Sequence, residues 1–124
     1  MDDRDMYREE ILEHYRHPQN FGAVEKPTHI ASAANPLCGD MIVLALRINK
    51  KRIVKDIGFT GLGCALSTAS ASFFTEWMRG KTLAQLQKVK ENQLLRLIEV
   101  PIMPVRHQCA LLPLAALRKA LESL

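Results

Sequence analysis

The sequence predicts an α+β fold, a set of amphipathic helices around an antiparallel hairpin, and three observations carry that reading. Ile42, Leu44, Leu46 and Ile48 alternate with Val43, Ala45, Arg47 and Asn49, the period of two of a half-buried strand. The polar run Asn49-Lys50-Lys51-Arg52 then turns the chain into a second apolar segment, Ile53 to Phe59. On either side the period changes to that of a helix: Leu66, Ala69, Phe73 and Trp77 form one stripe, and Leu111, Leu114, Leu117 and Leu121 form another.

Taken in order, residues 3–16 read as a helix with Tyr7, Ile11 and Tyr15 on one stripe and Arg8, Glu9 and Glu13 off it. Pro18 stops it, and His17 lies where it can meet the terminal carbonyls. A long connector from Gln19 to Leu37 is punctuated by Gly22, Pro27, Asn35 and Pro36, with a short strand near His29–Ala33. After the hairpin, Cys64 opens a helix to about Met78, whose residues Ser67, Thr68, Ser70, Ala71 and Ser72 give it narrow sides for close packing. Gly80 ends it. Thr82 caps a short helix through about Val89, and another covers Asn92 to Val100. Pro101 and Pro104 break the chain before a terminal helix from Cys109 to Leu121, in which Pro113 is tolerated because it falls in the first turn. His14, His17 and His29 read as surface residues, and Phe73, Phe74 and Trp77 as core.

The 124 residues are expected to form one domain, 1–124, large enough to bury roughly 65–70% of the surface its unfolded chain exposes. No apolar run approaches the ~18 residues of a membrane span, and the acidic start Met1-Asp2-Asp3-Arg4-Asp5 is unlike a signal peptide. With reduced thiols, this predicts a cytoplasmic protein without membrane contact. The net charge is +4. Lys50, Lys51, Arg52 and Lys55 read as a solvated hairpin tip or as a docking face for an acidic partner. No aromatic residue is interleaved with them, so nucleic-acid binding is not expected.

The chemistry lies in three cysteines, an odd number that argues against a disulfide framework. Cys38 stands in Asn35-Pro36-Leu37-Cys38-Gly39-Asp40, Cys64 in Gly61-Leu62-Gly63-Cys64-Ala65, and Cys109 in Arg106-His107-Gln108-Cys109-Ala110. Cys38 and Gly61-Leu62-Gly63 fall at the two ends of the hairpin on the same side, so Cys38 and Cys64 can approach each other. Cys64 and Cys109 are both expected at helix starts, where unpaired amides and the macrodipole favour negative sulfur. Glycines beside Cys38 and Cys64 let the backbone close on an inorganic ion. Thiolates suit zinc and iron–sulfur clusters, and Asp40 adds a harder, more labile fourth donor. Other readings stay open: the cysteines as small buried hydrophobes, Asp40 as a turn residue, His107 as a ligand or a solvated loop histidine.

These motifs together resemble the U-type iron–sulfur cluster assembly scaffolds, the family of IscU, SufU and the NifU N-terminal domain. The resemblance runs from Tyr7 through Ile11-Leu12-Glu13-His14-Tyr15, Pro18, Asn20 and Gly22. It continues in the two glycine-flanked cysteine motifs, in Glu76-Trp77 and Gly80-Lys81-Thr82-Leu83, and in Arg106 to Leu112. It implies a SufE/NifU-like α+β domain, an antiparallel sheet of about three strands against four to five helices. It also implies a [2Fe–2S] cluster built transiently from iron and from sulfur donated by a cysteine desulfurase of the IscS or SufS type, then passed to apo iron–sulfur proteins. Zinc can occupy the same site as purified. By position, Cys38, Cys64 and Cys109 would be sulfur acceptors and ligands and Asp40 the fourth ligand, with Arg106 and His107 as accessory residues.

Two features set the chain apart within that resemblance. Gln108 stands where the IscU branch has a histidine, while Arg106 matches the SufU branch, yet the span from Cys64 to Cys109 is too short for the SufU insertion. Ile102-Met103-Pro104-Val105-Arg106 matches only in part the segment by which IscU is held by an Hsp70-type chaperone. The resemblance therefore implies a cluster scaffold, or in its SufU form a zinc-dependent sulfur acceptor that stimulates its desulfurase.

Overall fold

The structure, a computed structural model, describes residues 9–35, 39–98 and 102–122. Cys38 lies outside them, as does Tyr7. The order is α1 (Glu9–Arg16), β1 (His29–Asn35), β2 (Asp40–Ile48), β3 (Val54–Leu62), α2 (Ala65–Met78), α3 (Leu83–Gln87), α4 (Glu91–Leu97), α5 (His107–Ala110) and α6 (Leu112–Glu122), with a 3-10 turn at Pro104–Arg106 before α5. The fold is α+β as expected, with three antiparallel strands in the order β1-β2-β3 and six helices among the described residues. No helix among them is long and apolar enough to cross a membrane.

The predicted short strand near His29 is longer and pairs along its whole length, from His29 opposite Leu46 to Asn35 opposite Asp40. β1 and β2 are thus a second hairpin, which the patterning of residues 29–35 did not reveal because alanines and a serine carry little alternation. β3 runs three residues past Phe59, with Met41 opposite Leu62. A side chain at Gly61 would run into the Met41 carbonyl, and φ there is +145°, so only glycine lets β3 continue to this length.

The apolar residues of period two do what they predict: Ile42, Leu44 and Leu46 are buried, with Val54, Ile57 and Phe59 beside them. α6 lies across β1 and β2, and α2 lies against β3. Between these layers sit Phe74, Met78, Leu114 and Leu117, all essentially inaccessible. Burying a side chain such as Phe74 stabilises the fold by about 2–3 kcal/mol. A second, smaller cluster joins Ile11, Leu66, Ala69, Ile98, Cys109 and Ala110, with Cys64 packed on it.

The first helix corrects two expectations. Ile11 is buried but Tyr15 is exposed, so the stripe runs from Ile11 to His14. His14 stacks on Phe73 at 3.7 Å, and its Nδ1 lies 2.7 Å from the Ser72 hydroxyl, which also accepts the Gln19 amide. His14 is therefore a packing residue. His29 is not on the surface either: it is 7% exposed at the start of β1, with Nδ1 2.7 Å from the Thr28 hydroxyl. Burial lowers its pKa from the ordinary 6.5. A histidine kept neutral by folding contributes fully above pH ~6.5, and that stability is lost as pH falls and the unfolded chain takes up the proton. Urea midpoints at neutral and mildly acidic pH are expected to differ less in His29→Phe than in the wild type; an unchanged difference would show that His29 does not set the acid limb.

The predicted terminal helix is two elements. Pro113 has no N–H and must lie in a first turn, so the ladder restarts at Leu112 and leaves His107–Ala110 as a separate turn of helix. At the opposite side of the hairpin, the β2–β3 turn is closed by Asn49. Its side-chain oxygen accepts from the Lys51 and Ile53 amides at 2.9 and 3.0 Å, and its carbonyl accepts from the Arg52 amide at 2.9 Å. Arg52 itself sits at φ 63°, a left-handed conformation costing a residue with a side chain about 1 kcal/mol.

Candidate metal centre

Three elements meet at the end of the sheet where β2 begins. Gly39 at φ 75° turns the chain into β2, its amide donating to the Asn35 carbonyl at 2.9 Å. Asp40, the first residue of β2, follows directly. Because Met41 pairs with Leu62, the next residue of the neighbouring strand, Gly63, lies beside Asp40, and a methyl group there would sit 3.7 Å from the Asp40 carboxyl carbon and collide with the Ser67 hydroxyl. Gly63 thus keeps the Asp40–Cys64 approach open.

Cys64 is the N-cap of α2, with extended backbone and its Sγ accepting the Ser67 amide at 3.4 Å. Ser67 closes the turn further: its hydroxyl donates to the Cys64 carbonyl at 3.2 Å and lies 3.7 Å from the sulfur. The sequence reading assigned Ser67 only to close packing; its position three residues after a capping cysteine was the available signal. Cys109 comes from α5, which is held to α2 by a hydrogen bond from the Ser70 hydroxyl to the Ala110 carbonyl. It is the third residue of that short helix rather than its start, and is 7% exposed, so the expected helix-start environment applies to Cys64 and not to Cys109.

The outcome is a cluster of three potential ligand atoms, one from Asp40, one from Cys64 and one from Cys109, all within 4.8 Å of one another. Such a group can share one metal ion or flank a small cluster. Asp40 is 6% exposed and its Oδ2, buried, has no hydrogen-bond partner among the described residues. A buried carboxylate oxygen left without a donor is costly, and a cation would relieve it. His107 lies near in sequence but turns away: its Nε2 donates to the Ile102 carbonyl at 3.0 Å. Arg106 is half-buried at the entry to α5, its amide bonded to the Met103 carbonyl at 2.8 Å, and Gln108 is exposed.

The NifU-like N terminal domain family matches this chain over residues 6–124. The chain belongs to that family. Its relatives in the NifU-like family include "Iron sulfur cluster assembly protein 1, mitochondrial" of Schizosaccharomyces pombe, 34% identical over 96% of this chain and 62% of that protein. The Escherichia coli K12 protein named "Iron-sulfur cluster assembly scaffold protein IscU" is 31% identical over 93% of this chain and 91% of its own length. The chain thus spans less than two thirds of the fungal relative and nearly all of the bacterial one. Among solved structures, FiSufU of Fervidobacterium islandicum AW-1, assigned to the SUF system, superposes with a TM-score of 0.78 at 26% identity, covering 97% of this chain and 99% of that one. The likeness to FiSufU covers nearly the whole chain, helices and sheet alike.

Proposed function

We propose that this chain is an assembly scaffold for iron–sulfur clusters, working as one domain over residues 1–124. The observation that carries the proposal is the meeting of Asp40, Cys64 and Cys109 within 4.8 Å from three separate elements, in a chain of the NifU-like family. Cys38, two residues before Asp40 in the chain, supplies the third sulfur. In the first step a thiolate of this site attacks the outer sulfur of a persulfide on a cysteine desulfurase. The S–S bond of the donor breaks, its cysteine leaves as thiolate, and the sulfur stays here as a new persulfide. A dithiol or ferredoxin-type reductant then supplies two electrons that break this persulfide's S–S bond, restoring the thiolate and releasing sulfide. The sulfide joins iron held by Cys38, Cys64, Cys109 and Asp40 in a [2Fe–2S] cluster, which is cargo and passes to apo-proteins.

The site suits cargo that must leave. Asp40 is a hard oxygen donor, less well matched to iron–sulfur chemistry than a fourth thiolate. Met41, Leu62 and Val105, neighbours in the chain of Asp40, Cys64 and α5, are exposed apolar residues. They offer contact area to the desulfurase, to recipients and to an Hsp70-type chaperone. This scheme belongs to the cytoplasm. Anaerobic reconstitution with iron, sulfide and a desulfurase tests it: a coloured, visible-absorbing species transferable to an apo-ferredoxin is expected, and no iron uptake would end the proposal.

A second reading draws on Arg106 and on the likeness to FiSufU. Here the same ligands hold zinc, and the protein is a transferase that accepts sulfur and stimulates its desulfurase without building a cluster. Metal analysis of protein prepared without added iron, combined with desulfurase turnover, separates the two. Stoichiometric zinc with strong stimulation and no cluster transfer would favour the second.

A further inference from the structure

The end of the molecule opposite the metal centre carries the charge of this protein. β2 runs nine residues from Asp40 to Ile48, so its far end lies roughly 30 Å away. There the β2–β3 turn is bound to the α2–α3 junction. The Val54 amide donates to the Lys81 carbonyl, the Gly80 amide to Val54, and the Leu83 amide to Arg52, at 2.8 to 3.0 Å. These bonds bring segments 47–56 and 76–82 together.

The two segments hold seven of the chain's 17 basic residues and, as acids, only Asp56 and Glu76. That excess of five exceeds the net charge of +4; the remaining ten basic residues are outnumbered by eleven acids. Arg47 and Arg79 reach Asp56 at 3.9 and 3.6 Å, and Lys81 lies over the Trp77 ring at 5.1 Å. Lys50, Lys51, Arg52 and Lys55 are exposed and have no ion pair among the described residues.

A solvated tip would not need the order seen here. Asn49 locks the turn with three accepted amides, and Arg52 occupies a left-handed position where glycine or asparagine would fit without strain. Strain retained under a charged side chain points to a use for that charge. We infer that this basic pole is a docking face for an acidic protein surface, used by a partner that leaves the metal centre free. The one aromatic beside these cations, Trp77, is half-buried under Lys81, and a single ring of that kind is not a stacking platform for successive bases. Among the described residues Ile30, opposite Ala45, is the large exposed apolar side chain toward this end, and a single isoleucine offers too little apolar area to hold a bilayer. The inference does not depend on which cargo the metal centre carries.

The test uses the full chain and a fluorescent ~20-residue peptide of alternating glutamate and alanine, read by anisotropy at low and physiological salt. The triple variant Lys50→Glu, Lys51→Glu, Arg52→Glu is expected to bind about tenfold more weakly, while Lys88→Glu with Lys90→Glu leaves affinity nearly unchanged. Arg52→Gly is the discriminating variant: it should weaken binding while melting at the same or a higher temperature. Equal loss in the Lys88/Lys90 control, or full affinity in Arg52→Gly, overturns the inference. So does tighter, pole-dependent binding of a single-stranded oligonucleotide or of phosphatidylserine-containing vesicles in parallel titrations.

Discussion

Cys64→Ala and Cys109→Ala are each expected to fold and to lose the reconstituted cluster. The structural cost is small in both. Cys64 caps α2 with a weakly accepting sulfur, and replacing a cap by alanine costs about 0.5–2 kcal/mol. Cys109 is buried beside Ile11, Leu66 and Ile98, where exchanging a thiol for hydrogen leaves a small void worth about 1 kcal/mol. The functional cost is much larger. Losing an outer-shell partner already weakens a metal site ~10–100-fold, and in the proposed scheme each of these cysteines is a direct ligand, whose removal costs more. Visible absorption after anaerobic loading, compared with the melting temperature of the same sample, reads both effects at once. A variant that keeps wild-type absorption removes that cysteine from the ligand set.

Asp40→Ala is expected to move stability and metal affinity in opposite directions. The Oδ2 atom is buried with no hydrogen-bond partner among the described residues, and an unsatisfied buried polar group costs about 1–3 kcal/mol. The backbone of Asp40 still pairs with Asn35 in the variant, so removing the carboxylate lifts that cost without breaking the sheet. The metal-free variant should therefore melt higher, by ~4 °C per kcal/mol for a chain of this size. Its zinc affinity, measured by competition with a chelator, should fall because an oxygen donor has gone. A lower melting temperature would mean that the carboxylate holds structure. Unchanged zinc affinity would take Asp40 out of the ligand set.

The elements with strong periodicity were legible. The alternation from Ile42 to Ile48 and the helical stripe from Leu66 reappear as β2 and α2 with boundaries within two residues, because burial on one face repeats with the geometry of the element. β1 was only partly legible, since Ala31, Ser32, Ala33 and Ala34 have too little contrast between faces. The break before α6 was readable in Pro113 but was merged into one helix, and with it Cys109 was misplaced at a helix start. His14 and His29 were read as surface by composition; packing against Phe73 and against the sheet decided otherwise. Ser67 was visible as a small residue, but its bond to Cys64 depends on the cap geometry.

By itself the chain's sequence determined the chemistry on offer: three thiols, a carboxylate, glycines beside two of the thiols, and a basic tip between two strands. Residue type and local spacing are properties of short segments, and short segments are what a sequence displays. Only the tertiary structure decided that Asp40, Cys64 and Cys109 meet within 4.8 Å, that His107 spends its Nε2 on a backbone carbonyl, and that Arg79 and Lys81 join the basic β2–β3 turn through its bonds to the α2–α3 junction. Those outcomes depend on the register between β2 and β3 and on α5 docking against α2. Both are contacts between residues far apart in the chain, and no local pattern encodes their distance.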